Sequence, residues 1–334
     1  MIRHLSFASE GELKALLVKD VPSDVYCSNG FYRMPTAPMQ EKGWLGASLI
    51  FDIDAKDLDL PCIPEHTYSL CQQCDGAREK AKSGSKCERC NGSKLVNILV
   101  PCTKCIQASK DQVKRLNNYL IEDIGIEKED AAIYFSGNNG FHVHVSNSSF
   151  ELLDSFARTD LAGYLLGNGI IPESFGVIKG TRGGHSIRFR KSTLSHGWRH
   201  RIAKKLNLES ATRLENLVEK LGGYSAFKDR VREIATEISV KIDPQVTSDI
   251  HRIFRLPGSL NSKSGFAKIL CPDLETFDPF NDACLLGDDS ILIDVKFPIK
   301  LRLRNRTFKI SKEKAELPGY VAAYLLCKGI AEAS

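Results

Sequence analysis

Asp52 and Asp54 stand two residues apart in Ser48-Leu49-Ile50-Phe51-Asp52-Ile53-Asp54, a run whose other members are mostly apolar. Such a run reads as a buried β-strand, and alternate side chains of a strand share one face. Two carboxylates side by side at the end of a core strand repel and desolvate badly unless a cation lies between them. That arrangement suits divalent ions that also carry phosphate oxygens. The competing reading is a strand end that frays into an acidic loop, since Asp57 and Asp59 follow at once.

Three Cys-x-x-Cys pairs come next: Cys71/Cys74, Cys87/Cys90 and Cys102/Cys105, with Cys62 and His66 ahead of them. Each pair offers two thiolates from one tight knuckle, and two knuckles complete a tetrahedral zinc site. Eight ligands make two sites. The expected grouping is Cys71, Cys74, Cys87 and Cys90 in one, and Cys62, His66, Cys102 and Cys105 in the other. Joining Cys71/Cys74 to Cys102/Cys105 is the alternative. Both sites would be closed, with no position left for water, so the zinc would be structural. Cys27, Cys271, Cys284 and Cys327 stand alone and read as core residues.

Ser136-Gly137-Asn138-Asn139-Gly140-Phe141-His142 combines a glycine-flanked turn with a hydroxyl and an imidazole. A turn of this kind aims backbone N–H groups at a phosphate, although a plain hairpin has the same composition. Downstream, Lys241-Ile242-Asp243-Pro244 ends a strand-like run in a carboxylate, which offers a third metal ligand or a simple turn former. Arg255 and the turn Pro257-Gly258-Ser259 suit a polyphosphate.

The elements that must position these groups follow from periodicity. Strands are expected at residues 1–7, 24–32, 48–54, 131–135, 141–145, 239–242, 267–270 and 292–295. Helices are expected at 10–18, 108–124, 151–167, within 198–239, and from Pro318 to about Ile330. The predicted architecture is one mixed α/β domain over 1–334, of sheets flanked by helices. It carries a zinc-binding insertion at 62–105 and a helical insertion at 198–239. With 334 residues, 42% of them hydrophobic, the chain can bury a sizeable core, and its net charge of +5 is mild. No run of about 18 apolar residues and no signal-peptide pattern occurs, which points to a cytoplasmic protein with no membrane partner.

Taken in order, Phe-Asp-Ile-Asp, the zinc knuckle, Ser-Gly-x-x-Gly-x-His, and Asp-x-x-Val-Thr followed by Arg-x-Pro-Gly-Ser-Leu closely resemble the small catalytic subunit of archaeo-eukaryotic DNA primase, the archaeal version most nearly. The resemblance runs from Ile2-Arg3-His4-Leu5-Ser6-Phe7 to Leu317-Pro318-Gly319-Tyr320-Val321. It implies that Asp52, Asp54 and Asp243 bind catalytic Mg²⁺ or Mn²⁺. It also implies that Ser136, Gly137, His142 and Arg255 hold the phosphates of an incoming nucleotide, with Arg3 a further candidate. Three features depart from the family. Asn138 and Asn139 stand where basic residues are frequent. Asn261, which can still donate to a phosphate, replaces a histidine. The chain also begins where relatives have already run through a helical segment. The tetracysteine insertion is additional to the family's usual single knuckle.

From Ser174 to Leu208 the chain has nine Lys or Arg and no Asp or Glu, with Phe175, Phe189 and Trp198 interleaved. Arg182, Arg188, Arg190, Lys191, Arg199 and Arg201 are the expected contacts to a single-stranded template, combining phosphate neutralisation with base stacking. Arg302, Arg304 and Arg306, alternating with Leu301 and Leu303, would lie on one strand face, either as a second basic stripe for the template or as a plain exposed face. The expected function is therefore a template-directed nucleotidyltransferase that starts RNA primers on single-stranded DNA. Its substrates would be ribonucleoside or deoxyribonucleoside triphosphates, and its partner the primase large subunit. A gap-filling or repair polymerase of the primase type and a non-catalytic zinc-ribbon nucleic-acid-binding protein are the alternatives.

Overall fold

The structure, a computed structural model, describes residues 2–74, 77–79, 86–171, 173, 177–179, 185–187, 196–207 and 217–334. Its centre is a four-stranded antiparallel sheet in the order Ile269–Leu270, Ala131–Phe135, Gly140–Val145, Leu49–Asp54. Alternation along these strands divides the sheet into two faces. Leu49, Phe51 and Ile53, with Phe141, Val143 and Val145 opposite them, point into the main core. Ile50, Asp52 and Asp54 share the other face with His142 and His144. On that face Ile50 packs with Val246 and Phe254 in a separate small apolar cluster. The register lines up Asp52, His142 and Tyr134 in one row across three strands.

Helix Thr103–Tyr119 covers the core face, packing on the Leu49–Asp54 and Gly140–Val145 strands. It buries Cys105, Ile106, Ser109, Lys110, Val113, Leu116 and Tyr119, the three- and four-residue spacing of an amphipathic helix. Helix Ser155–Leu166, capped by the Asp154 side chain on Ala157 N–H, contributes a fully buried Arg158. Its guanidinium donates to the carbonyls of Ala47 (2.6 Å), Ser48 (3.0 Å) and Leu153 (2.9 Å), and more distantly to Phe150 and Glu151. The bend that feeds the aspartate strand is thereby fixed by a buried cation on backbone oxygens.

The cysteine-rich insertion forms its own sheet, with Thr67–Cys71 between Ala77–Glu79 and Leu95–Leu99. Towards the C-terminus, Ser290–Val295 pairs with both Lys314–Pro318 and Ala331–Ala333. Helix Gly319–Cys327 packs on this sheet.

Four expectations need correction. Residues 2–7 form no strand; they are an exposed lead into helix Glu10–Asp20, which Ser9 caps and which itself buries nothing. The 24–32 strand is two short ones, Tyr26–Ser28 and Gly30–Tyr32, paired with different partners. Residues 239–242 join no sheet: helix Tyr224–Ile238 has its C-cap at Ser239, and Pro244 starts another helix before a ladder can form. Arg302, Arg304 and Arg306 do not share a strand face: Arg304 and Asn305, both at positive φ, make the turn of the Ile299–Leu303/Arg306–Ile310 hairpin. Arg304 there donates to the carbonyls of Cys284 and Leu286. Within 198–239, the described residues are helical over Gly197–Lys205, 217–220 and Tyr224–Ile238.

Candidate active site

The sheet brings the sequence-predicted residues to one end of its polar face. Asp54 stands opposite Gly140, and Asp52 opposite His142, whose Nε2 lies 3.3 Å from Asp52 Oδ1. Asp243 arrives from far along the chain and is tied to the same strand by its backbone N–H on the Asp52 carbonyl, 3.0 Å. Its side chain caps helix Pro244–Ser248, Oδ1 accepting from Gln245 and Val246 N–H. Asp54 caps the next short turn in the same manner through Lys56 N–H (3.2 Å), and Lys56 Nζ sits 3.2 Å from its Oδ2.

Electrostatics mark the end of the sheet as acidic. Burial raises the Asp57 carboxyl, and Asp54, Asp52 and Asp243 all push it further up against the pull of Lys56. At Asp52, burial opposes ionisation, but the hydrogen bond and charge of His142, aided by Lys56 and Arg252, win and hold the carboxyl below its ordinary value. The three aspartates are not among the groups of described residues whose ligand atoms all lie within 4.8 Å of one another. Each is instead engaged with a local donor. Hard carboxylate oxygens on a rigid strand and a helix cap fit Mg²⁺ or Mn²⁺ chemically.

The Ser136–Gly140 turn is clamped on both sides. Ser136 N–H closes it on the Gly140 carbonyl (2.9 Å), and Ala55 N–H bonds to the Asn139 carbonyl (3.3 Å). Gly137 has φ +86°, and a β-carbon there would meet Asn261 Cβ at 3.1 Å and Lys268 N at 3.2 Å, so glycine is required twice over. Ser264 Oγ donates to the Gly137 carbonyl. His142 Nδ1 and Asn139 Oδ1 are buried without a hydrogen-bond partner within the protein.

Arg255 is buried and committed: it pairs with Asp24 (2.5 Å), donates to the Leu260 carbonyl (2.5 Å) and reaches Tyr26 Oη (3.1 Å). Asp24 also accepts from Ser262 N–H and Oγ, which fastens Arg255 to the loop bearing Asn261. Asn261 is buried beside Gly137, its Oδ1 accepting from Lys263 N–H (3.0 Å). Arg3 lies in the exposed segment before the first helix.

Sequence reasoning missed Lys268. It is fully buried, 3.2 Å from His144 Nε2 and over the Tyr134 and Phe254 rings at 5.1 and 5.7 Å. Burial, with Arg255 nearby, pushes its ammonium down to about 8. Burial, then Lys268 and His142, holds the His144 imidazole at about 2. A lone lysine inside Phe266-Ala267-Lys268-Ile269-Leu270 was the available signal. Asp24 offered none.

Cys71, Cys74, Cys87 and Cys90 converge with all ligand atoms within 4.8 Å, and Cys62, His66 and Cys102 form a second such group. Cys105 Sγ lies 3.6 Å from Cys62 and 3.7 Å from Cys102. Zinc–sulfur bonds of about 2.3 Å give tetrahedral edges of roughly 3.8 Å, close to these separations. Of the template candidates, Arg182, Arg188, Arg190 and Lys191 lie outside the described residues. Arg199 is exposed. Arg201 turns inward, onto Glu122 and Asp123 and over the Tyr119 ring at 3.8 Å.

A family model described as DNA primase small subunit matches residues 88–269. Across almost its whole length, the chain is also 44% identical to the DNA primase small subunit PriS of Nitrosopumilus maritimus, covering 99% of this chain and 88% of that one. The chain belongs to the DNA primase small subunit family. PriS of Cenarchaeum symbiosum is 41% identical over 100% of this chain and 88% of its own, and that of Archaeoglobus fulgidus 30% over 98% and 85%. The expected family and the mixed α/β fold are thus both found, and the chain is an enzyme of the primase, nucleotidyltransferase type. No helix among the described residues is long and apolar enough to cross a membrane.

Proposed function

We propose that this chain is the catalytic subunit of a primase that starts RNA primers on single-stranded DNA, and that Asp52, Asp54 and Asp243 hold two Mg²⁺ or Mn²⁺ ions. The observation that supports the reading is the backbone bond from Asp243 N–H to the Asp52 carbonyl, which ties the Asp243 backbone to the strand that carries Asp52 and Asp54. When bound, the ions would activate the 3′-hydroxyl nucleophile and neutralise the triphosphate and departing pyrophosphate. Ser136, Gly137 and His142 would receive the phosphates on the clamped turn, with Arg255, Asn261 and Arg3 as further contacts. His142 would keep Asp52 ionised and oriented until the metal arrives. The two cysteine-rich groups would hold structural Zn²⁺: Cys71, Cys74, Cys87 and Cys90 in one, and Cys62, His66, Cys102 and Cys105 in the other.

The template would bind through Arg199 and through Arg182, Arg188, Arg190 and Lys191. The names of the relatives, all small subunits, support a large-subunit partner. Such a partner would help an open site grip two initiating nucleotides.

Unprimed synthesis on single-stranded DNA, with ribo- and deoxyribonucleotides and with or without the large subunit, tests the proposal. Asp52→Ala and Asp54→Ala should each abolish incorporation and leave single-stranded DNA affinity within about three-fold, because affinity comes from the basic surface. Activity near wild type in either variant would sink the metal assignment. Extension without initiation would favour the repair polymerase, and DNA binding with no incorporation the zinc-ribbon binding protein.

A further inference from the structure

The Ser136–Gly140 turn carries no charge of its own, yet a cation reaches it from the other end of the molecule. Helix Gly319–Cys327 ends at Lys328, whose Nζ donates to Asn138 Oδ1 at 2.8 Å and lies 5.8 Å from the Tyr324 ring. A helix C-terminus favours a cation, but the acceptor it has found is a neutral amide. Burial pushes this ammonium down to about 8; among charged neighbours Asp54 supports it most, while Lys263 opposes it. Lys328 thus stands within the fields of the candidate metal-binding carboxylate and of the loop beside Asn261. Desolvating an ammonium against an amide costs free energy. A cation held in place at that cost, between a phosphate-type turn and an acidic metal site, fits a ligand that brings negative charge.

We infer that Lys328 is a further nucleotide-binding residue, which places its ammonium on a β- or γ-phosphate oxygen of the triphosphate seated on the Ser136–His142 turn. This rests on the function proposed above. The competing role is mechanical: Lys328 would only fasten the turn through Asn138. The two roles predict different behaviour for Asn138→Ala, which cuts the fastening and spares the ammonium.

Steady-state incorporation on a primed template gives KM and kcat, and equilibrium titration with magnesium-ATP and with AMP separates contacts to the β- and γ-phosphates from those to base, sugar and α-phosphate. Lys328→Met should raise KM and weaken ATP by about 10- to 100-fold, the worth of one charge-assisted hydrogen bond. AMP affinity and melting temperature should stay near wild type. Lys328→Arg should recover most of the loss, and Asn138→Ala should shift KM less than about three-fold on the same reasoning. If the Met variant does not fold, Lys328→Gln carries the same comparison. Equal defects in Lys328→Met and Asn138→Ala, or a loss of AMP affinity matching that of ATP, overturn the inference. Asp54→Asn is the control: if it is inactive while Lys328→Met behaves as wild type, the Lys328 assignment alone is wrong. If Asp54→Asn matches wild type, the proposed function fails first.

Discussion

Gly140 is where the phosphate turn and the aspartate strand come closest. A β-carbon on residue 140 would lie 2.0 Å from the Ile53 carbonyl oxygen, 2.8 Å from Asp54 Cα and 2.9 Å from the Ile53 carbonyl carbon. All three are backbone atoms, so no side chain can swing aside. Relieving the closest contact just to the shortest separation a β-carbon tolerates means parting the strands by about 1 Å at the Asp54–Gly140 pair, and a displacement of that size costs roughly 100-fold in rate. Overpacking adds about 1–3 kcal/mol of lost stability. Gly140→Ala should therefore fold with a lowered melting temperature, bind single-stranded DNA as wild type does, and incorporate nucleotide about 100-fold more slowly in single-turnover assays. A rate within about three-fold of wild type, with the variant folded, would refute the claim that turn and aspartates work as one unit.

Metal analysis of the purified protein should find about two zinc equivalents per chain, and replacing Cys87 and Cys90 with serine should remove one while sparing most activity. One equivalent in the wild type would mean that only one group binds metal. Acid should destabilise the fold through His144. Below its ordinary value near 6.5, the unfolded chain takes up a proton that the folded imidazole, held at about 2, refuses. Stability is complete above that range and falls as the pH drops, by about 1.7 kcal/mol between pH 6.5 and 5. Urea melts at the two pH values should show that loss in wild type and not in His144→Gln; equal slopes would rule the histidine out. Arg255→Ala should raise the nucleotide KM at least about ten-fold and slow turnover, while Asn261→His should lower KM, most clearly near pH 6 where imidazole is cationic. An Arg255→Ala enzyme that titrates like wild type would move the phosphate site elsewhere.

The aspartate strand was legible because its end alternates, Phe51 and Ile53 on the core face and Asp52 and Asp54 on the other, which fixes the register. The same holds for Phe141-His142-Val143-His144-Val145, which pairs with it as its alternation requires. The cysteine pairs were legible because knuckle spacing limits how four sulfurs can meet. Contacts made by single polar residues across long stretches of chain were not legible. Asp24 reaches Arg255, Lys268 reaches His144 and Lys328 reaches Asn138 through tertiary placement that no local pattern encodes. Residues 239–242 misled for a related reason: Val240 and Ile242 suit a strand, but the segment's backbone partners are scattered, Val240 N–H bonding to the Leu165 carbonyl and Lys241 N–H to Gln112 Oε1.

That single bond between Asp243 and Asp52 also orders events during synthesis. A ribosome that has delivered the aspartate strand and the phosphate turn has made only part of the candidate metal site, and the missing carboxylate emerges long afterwards. Closing so large a loop is slow compared with pairing the neighbouring strands. A nascent chain therefore has the strands Leu49–Asp54, Ala131–Phe135 and Gly140–Val145 available to pair before it can complete its set of three carboxylates, and truncated products that stop before Asp243 can pair these strands but lack the third carboxylate.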